Sequence, residues 1–294
     1  MRKVLPLILL VLVSASCKKM MEPIRIPLSG TAWSYSVDDQ TARVCFEDEN
    51  HVSILQTDMT SGAHQSVHGT YDTDGHRVDC QGANWPNSIR FVRTFSHLKN
   101  NSTNKNLTPL KTREYTSVAG SIWATMEEDN FHFAFFSPDG TCLDGTFANT
   151  NHKEGYPIGW KWNRKGYTLS GNKLTAGSFS ATLYEDFLIT DTLTVMRMAP
   201  SVEDKGTSPL AGTVWTYDTA GYPGVIVFNS SNTFTRFLVA SRVIFSAING
   251  TYELNGTSLT MDMGGEDGQL KETCQLSADR FTYLEKDYVK VTLP

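Results

Sequence analysis

The residues best suited to hold a ligand are aromatic. Trp160 and Trp162 stand two residues apart, and Tyr156 lies four residues before Trp160. Side chains two apart on a β-strand project to the same face, so we expect the two indoles to lie side by side. Such aromatic platforms stack on sugar rings or enclose apolar molecules. Two alternatives stay open: Trp160 fills volume in the strand packing, and Tyr156 points elsewhere because Pro157 and Gly159 intervene.

Histidines and carboxylates give weaker indications. His64 and His68 have the i, i+4 spacing that places two metal ligands on one face of a helix. The segment around them is predicted to be loop and strand, where four residues span about 13 Å, so we expect no metal site. The acidic run at residues 47–49 is interpreted as a solvated hairpin turn.

Sequence motifs for catalysis are absent. The chain has no G-x-S-x-G elbow, P-loop, H-E-x-x-H or dinucleotide-binding fingerprint. We therefore expect a protein that is not an enzyme and carries no cofactor, with a hydrolase as the less favoured alternative. The net charge of −5 and the lack of a Lys/Arg cluster also exclude nucleic acid as the expected partner.

The N-terminal residues predict export. Arg2 and Lys3 precede an apolar stretch at residues 4–13, which is too short for a spanning helix of about 20 residues and is typical of a secretory signal. The ending Ala-Ser-Cys at Cys17 resembles the bacterial lipobox. That resemblance implies that residues 1–16 are removed as a signal peptide and that Cys17 carries a lipid, which anchors the protein to the membrane.

The remaining cysteines bear on the expected oxidising compartment. Cys45 and Cys80 lie in one repeat on predicted strands and are the candidates for a disulfide, with free thiols as the open alternative. Cys142 and Cys274 have no partner in their own repeats and are interpreted as small buried apolar residues. No Cys/His spacing indicates zinc.

Three copies of one module follow the N-terminal region. Residues 28–35 read LSGTAWSY, residues 118–125 read VAGSIWAT and residues 210–217 read LAGTVWTY. Each tryptophan is followed 13 residues later by phenylalanine. The pairs are Trp33 with Phe46, Trp123 with Phe136, and Trp215 with Phe228.

A hairpin block is the third landmark of each copy. It reads Gly69-Thr70-Tyr71 with Gly75 in the first copy and Gly250-Thr251-Tyr252 with Gly256 in the third. In the second copy we align Trp160-Lys161-Trp162 with Gly166. On this alignment Trp162 replaces the tyrosine and Trp160 replaces the first glycine.

The repeat sets the domain organisation. A period near 90 residues is too long for solenoid or propeller repeats, so each copy is expected to be a small domain. We predict a tether at 17–27 and β repeats at 28–98, 117–198 and 209–294. Residues 99–108 and 200–208 are polar and are expected to be exposed linkers.

Within each copy the pattern predicts strands. In the third copy, β-branched and aromatic runs alternate with Gly, Asn, Asp and Ser turns. Leu259 and Met261 are expected on one face, with Thr260 and Asp262 on the other. Eight short strands predict a β-meander that curls toward closure, whereas the shorter first copy is expected to have about six strands.

The G-[TS]-x-W opening, the strand ending in Phe and the G-T-Y hairpin resemble the small lipocalin-like β domains of Bacteroidota lipoproteins. The resemblance covers most of residues 28–293 in three pieces. It implies an all-β fold of three tandem lipocalin-like barrels and an outer-membrane location, facing the periplasm or the cell surface. We expect a binding protein for a glycan or an apolar small ligand. The alternative is a scaffold lipoprotein that contacts a membrane-protein partner.

Overall fold

The computed structural model describes residues 27–60, 64–82, 88–94, 97–127, 129–151, 154, 159–190, 193–201, 206–217, 223–240, 243–264 and 270–292. The predicted signal peptide, Cys17 and Tyr156 lie outside these residues. All regular elements in the described part are β-strands, 24 in number, and no helix there has the length and hydropathy of a membrane span. Every strand pairing is antiparallel. The predicted all-β class is confirmed.

Barrel 1 is a closed eight-stranded meander. Its strands are β1 Thr31–Val37, β2 Gln40–Phe46, β3 His51–Asp58, β4 His64–Thr73, β5 Arg77–Gln81, β6 Ile89–Arg93, β7 Leu98–Asn100 and β8 Asn106–Pro109. Closure comes from β8, which pairs with β1 at Trp33 and Ser34. The expectation of about six strands was wrong, because β7 and β8 lie in the segment predicted as a linker at 99–108. Its polar residues alternate with the inward-facing Leu98 and Leu107, which complete the barrel.

Barrel 2 is closed in the same way. Its strands are β9 Ile122–Glu127, β10 Asn130–Phe136, β11 Thr141–Ala148, β12 Gly159–Ser170, β13 Lys173–Ala176, β14 Phe179–Leu183, β15 Phe187–Thr190 and β16 Thr194–Ala199. Strand β16 returns to pair with β9, with a register shift between Arg197 and Ala199.

Barrel 3 has eight strands and a seam. They are β17 Thr213–Tyr217, β18 Gly224–Phe228, β19 Thr233–Ala240, β20 Val243–Asn255, β21 Ser258–Asp262, β22 Lys271–Gln275, β23 Arg280–Tyr283 and β24 Lys286–Lys290. No ladder joins β22 to β23 in the described residues. The carboxylate of Glu272 instead accepts a hydrogen bond from the backbone N–H of Leu284 across the seam, at 2.8 Å.

The G-[TS]-x-W motif has one physical explanation in all three barrels. Its glycine has a positive φ of 70° to 79° at Gly30, Gly120 and Gly212, which favours glycine over residues with a Cβ. The next residue, Thr or Ser, accepts a hydrogen bond from the indole N–H at 2.8 to 3.0 Å. Its own hydroxyl donates to the backbone carbonyl three residues earlier. The motif therefore buries tryptophan with its polar atom satisfied.

The phenylalanine landmark closes the same end of each barrel. The motif glycine donates its backbone N–H to the carbonyl of that phenylalanine at 2.7 to 2.8 Å in each copy. The phenylalanine ring packs edge to face against a tyrosine. The pairs are Phe46–Tyr71, Phe136–Tyr167 and Phe228–Tyr252, with ring centroids 4.7 to 5.1 Å apart.

The tyrosine pairs correct the hairpin alignment of the second copy. Tyr167, rather than Trp162, is the counterpart of Tyr71 and Tyr252. Each of the three hydroxyls donates to a backbone carbonyl just after the phenylalanine landmark. The matching turn glycine of the second copy is Gly171, whose φ is positive. The aromatic-to-glycine spacing of four was correct. Trp162 and Gly166 have the same spacing earlier on the strand, and they were aligned in place of Tyr167 and Gly171.

The walls of the barrels pack on both their inner and their outer faces. Each interior holds its own apolar core around Trp33, Trp123 or Trp215. A further apolar core lies between the barrels and is built from the outer faces of all three. We call it the shared core; its larger members include Leu55, Ile122, Phe131, Phe133, Phe135, Phe147, Phe187, Met196, Val225, Phe237 and Ile244. In barrel 3, Leu259 and Met261 point into the interior, as predicted.

Polar contacts also join the barrels. Arg43 of barrel 1 forms an ion pair with Asp186 of barrel 2. The hydroxyl of Tyr184 donates to the carbonyl of Gly30 at 3.1 Å. Barrels 1 and 3 meet where Ile244 on β20 pairs with His64 on β4. These contacts and the shared core make the three repeats one packed unit.

A strained turn in barrel 3 generates a stability prediction. Leu284 and Glu285 form the two-residue turn between β23 and β24, and both have positive φ, 48° and 59°. Such turns favour glycine at the second position, and a side chain there costs about 1–2 kcal/mol. The Glu285→Gly substitution should raise the free energy of unfolding by up to about 1 kcal/mol, after the entropy cost of glycine. Urea denaturation measures the change.

The matched control makes the opposite change, from glycine to a residue with a Cβ, in another turn of the same barrel. Gly256 has φ of 62°, and a Cβ built on it meets no atom within 4 Å. Gly256→Ala should therefore lower stability by about 1 kcal/mol through the backbone alone. An unchanged or lower urea midpoint for Glu285→Gly would contradict the strain argument.

Candidate ligand-binding site

The two tryptophans singled out in the sequence lie on the outer wall of barrel 2. Trp160 and Trp162 are half-buried at the start of β12, and their rings stack with centroids 4.8 Å apart and planes 17° apart. Trp160 packs edge-on against Phe131 and Phe147, and Trp162 against Phe133. The two indoles lie on the same face of β12, as expected. Because the rings stack, each ring covers one side of the other.

The packing around this pair is specific. A Cβ on Gly145 would lie 2.4 Å from the Trp162 ring, so the indole rests directly on the backbone of β11. The indole N–H of Trp160 is buried and has no acceptor among the described residues. Both rings adjoin the shared core, so the pair fills volume and still presents an accessible edge. A role in ligand binding stays a prediction.

A second candidate site lies inside barrel 2, where the sequence analysis did not place one. A cavity of about 130 Å³ opens among the inward-facing side chains. The wall formed by β13–β16 and the floor are apolar and include Trp123, Phe136, Ala176, Phe179, Leu188, Leu193 and Val195. The wall formed by β10–β12 carries His132, Asp144, Thr146 and Lys165. The cavity is therefore amphipathic.

Small side chains explain why barrel 2 has this space. Eleven residues after the opening tryptophan, barrel 2 has Ala134 where barrels 1 and 3 have Val44 and Ile226. Across the ladder, Cys142 of barrel 2 pairs with Phe136 as Val52 pairs with Phe46 in barrel 1. Smaller residues at matched inward positions leave volume that the other two interiors fill.

Two residues of the polar wall, His132 and Lys165, each lie close to a carboxylate. Nε2 of His132 lies 3.0 Å from an oxygen of Glu127, and Nζ of Lys165 lies 3.1 Å from Oδ1 of Asp144. The His132 contact is the main reason that the pKa of the Glu127 carboxyl lies below its usual range. Thr146 contacts the other ring nitrogen of His132 at 3.2 Å. The pairs place acidic and basic side chains alternately on adjacent strands.

Oδ1 of Asp144 is under-satisfied. The atom is buried and receives no hydrogen bond from the described residues, because the nearby Lys165 ammonium approaches outside hydrogen-bond geometry. Its other carboxylate oxygen has only a 3.5 Å contact with Asn163. Asp144 thus has capacity for one further donor from the cavity.

A comparison of the three copies could have found this site. Asp144 pairs with Ala134, and at the matched position barrel 1 has Ile54 and barrel 3 has Arg236. Arg236 donates to the Tyr288 hydroxyl at 3.2 Å in the filled interior of barrel 3. The change of chemistry falls at inward positions between the landmarks of the repeat, which the landmarks alone do not align.

Ser53, His68 and Glu47 also come together, at the boundary of barrels 1 and 2. The Ser53 hydroxyl donates to Glu47 and lies 2.7 Å from Nδ1 of His68. Thr194 of barrel 2 donates to the same Glu47 oxygen at 2.9 Å, and the Met126 carbonyl lies 3.3 Å from Nε2 of His68. Ser53 is completely buried, so these residues form a structural contact without access for a substrate.

Glu47 differs from the predicted solvated acidic turn. Its side chain is only 2% exposed, whereas Asp48 and Glu49 remain at the surface. Burial raises the pKa of the Glu47 carboxyl, and the hydrogen bonds from Ser53 and Thr194 only partly offset that effect. Sequence reasoning missed the burial because barrel 2, which is distant in the chain, covers this residue.

The raised pKa of Glu47 generates a pH prediction. A carboxyl with a raised folded-state pKa favours the folded state most below its ordinary pKa of 4.5, and that advantage is lost as pH rises through the folded value. In Glu47→Gln the amide oxygen keeps the Ser53 and Thr194 hydrogen bonds. The melting temperature of the wild type relative to this variant should therefore fall as pH rises from about 4.5 to 8.

The control variant is Glu49→Gln, which removes the same charge from an exposed position of the same turn. Its melting-temperature difference from the wild type should show no comparable loss over that range. A difference for Glu47→Gln that grows with rising pH would contradict the burial argument.

Cys45 and Cys80 are not joined in the structure, in which both thiols are free. Cys45 on β2 points out into the shared core, whereas Cys80 on β5 points into barrel 1. A disulfide would have to cross the barrel wall between strands that are not neighbours. Burial raises the pKa of both thiols, to about 12 for Cys80, so both are apolar packing residues in this fold.

Metal binding finds no support in the described part of the chain. No group of three or more His, Cys, Asp or Glu side chains is arranged to hold an ion there. His68 is instead engaged at the boundary of barrels 1 and 2.

The fold and the cavity define the class: an all-β protein of three tandem eight-stranded barrels. No protein-family model matches the chain, and no curated protein matches it. Among solved structures, it is similar to the DNA polymerase III subunit beta of Pseudomonas aeruginosa, at 7% identity over 90% of this chain and 93% of that chain, with a TM-score of 0.14. The DnaN sliding clamp of Bartonella birtlesii LL-WM9 gives 6% identity, coverage of 92% and 95%, and a TM-score of 0.13. Scores this low support no argument.

Proposed function

We propose that this protein is an exported, lipid-anchored binding protein without a catalytic role, and that barrel 2 holds a small, largely apolar ligand. The observation that carries the proposal is the amphipathic cavity beside Trp123. Ligand sites are concave, mostly apolar and supplied with a few polar groups that fix orientation. The cavity has this composition, and barrels 1 and 3 have larger side chains at the matched positions.

The size of the cavity limits the ligand. An engineered protein cavity of about 150 Å³ binds benzene, and the volume here is about 130 Å³. The part of the ligand that enters barrel 2 is thus about as large as a benzene ring or a branched four-carbon chain. A larger ligand would extend from the cavity into solvent.

The binding test uses benzene, toluene and phenol as neutral probes with the purified protein. A probe at about 100 times its dissociation constant should add roughly 2.7 kcal/mol to stability, which is seen as a rise in melting temperature. Ala134→Leu fills the cavity and should abolish the rise. Val44→Leu, a substitution at the matched position of barrel 1, should keep it.

The same experiment separates the alternative sites. A rise in melting temperature with short glycans that persists in Ala134→Leu and disappears in Trp160→Ala would move the site to the tryptophan pair. A protein that responds to no ligand would favour the second candidate function, which is contact with a membrane-protein partner. That candidate is supported by Trp162, which is only half-buried on the outer wall of barrel 2, whereas its counterpart Ser66 on β4 is covered by a neighbouring barrel and hydrogen-bonds to Met126.

Anchoring is tested separately at Cys17. Membrane fractionation should find the wild-type protein with membranes, and Cys17→Ser should release it or leave it unprocessed, because the lipid-accepting thiol is gone. Cys274→Ser removes a thiol from barrel 3 and should leave the protein in the membrane fraction. Equal membrane association of wild type and Cys17→Ser, with cleavage of the leader in both, would refute lipid attachment at this cysteine.

A further inference from the structure

We propose that the ligand of barrel 2 is a small zwitterion with an apolar body, the chemistry of an apolar α-amino acid. This inference rests on the proposed binding function and specifies its ligand class. It starts from the distribution of polar groups in the cavity. The charged residues lie on β10–β12, and the facing wall on β13–β16 is apolar, so a ligand must present a polar head to one wall and an apolar body to the other.

The charges in the polar wall have both signs. Asp144 and Lys165 face the cavity on adjacent strands with their charged atoms 3.1 Å apart. A ligand with only a carboxylate could reach Lys165 but would bring like charge against Asp144. A ligand with only an ammonium group could reach Asp144 but would bring like charge against Lys165. A zwitterion has a partner for each and repels neither.

The hydrogen-bond geometry favours the same head group. Oδ1 of Asp144 is buried and receives no hydrogen bond from the described residues, although the Lys165 ammonium lies 3.1 Å away, so a ligand ammonium would supply an aligned N–H donor. The ligand carboxylate would then be next to the Lys165 ammonium. The Thr146 hydroxyl and the imidazole of His132 lie on the same wall, where they contact each other.

The apolar half of the cavity sets the body of the ligand. Phe179, Leu188 and Val195 line it together with the indole of Trp123. These side chains offer no charge, and the whole cavity has a volume of about 130 Å³, which suits a branched four-carbon chain as the apolar body. Leucine has a side chain of this size, so it represents the ligand class.

The test compares three molecules that share one branched body. Leucine is the zwitterion, isovalerate has only the carboxylate, and 3-methylbutylamine has only the ammonium group. Isothermal titration calorimetry on the purified protein at pH 7 should give leucine at least a tenfold lower dissociation constant than either single-charge analogue. An analogue that binds as tightly as leucine, or no binding by leucine, would overturn the inference.

Two substitutions assign the charges. Asp144→Asn should remove most of the preference for leucine over isovalerate, because the acceptor for the ammonium loses its charge. Lys165→Gln should remove most of the preference for leucine over the amine. Arg164→Gln, one residue away on the outer wall, should leave both preferences unchanged. Each preference is a ratio of two dissociation constants measured on the same variant, so a general loss of stability does not change it.

The outcome also separates this inference from the proposed function. Binding of benzene or phenol that is abolished by Ala134→Leu, without binding of leucine, would keep barrel 2 as a ligand site and refute the zwitterion. Failure of the neutral probes and of leucine would refute both.

Discussion

Burial of both surfaces of a small barrel wall is the constraint on which the rest of this structure depends. A domain of about 85 residues buries only some 60–65% of the surface of its unfolded chain, which leaves little margin for stability. Here the inner faces pack around Trp33, Trp123 and Trp215, and many outer faces pack again in the shared core. Strands such as β15 and β18 are consequently buried along their whole length.

Because the shared core stabilises the barrels from outside, the residues inside them can differ from one barrel to the next. The closed end is built from the same glycine, hydroxyl, tryptophan and phenylalanine in every barrel, so the fold is specified there by local hydrogen bonds. Farther along the strands, one matched position holds Ile54 in barrel 1, Asp144 in barrel 2 and Arg236 in barrel 3. An interior stabilised at its closed end and from outside tolerates a cavity and charged residues, which cost stability when they are buried. The binding site that we propose in barrel 2 depends on this tolerance.

The same packing explains the outer-wall residues. On the fourth strand of each barrel, matched positions carry Ser66, Trp162 and Ala247. Ser66 and Ala247 lie against neighbouring barrels, where small side chains fit the narrow space. Trp162 lies where β12 borders the shared core only in part, so a large ring can rest on Gly145 and keep an open edge. The size of the side chain at this matched position is therefore set by how closely a neighbouring barrel packs against it, and not by its place in the repeat.

Local sequence patterns specify the strand content, the threefold repeat, and the glycine, hydroxyl, tryptophan and phenylalanine of each closed end, because these depend on contacts within about 20 residues and on a strict side-chain alternation. The sequence also contained the hydrophobic and turn signals of the eight strands in the third copy. The sequence did not reveal β7 and β8, whose polar residues match a linker, or the burial of Glu47. It also paired Cys45 with Cys80, which face opposite sides of the wall. These features and the cavity of barrel 2 arise from tertiary contacts, because each depends on strands or barrels that are distant from one another in the chain.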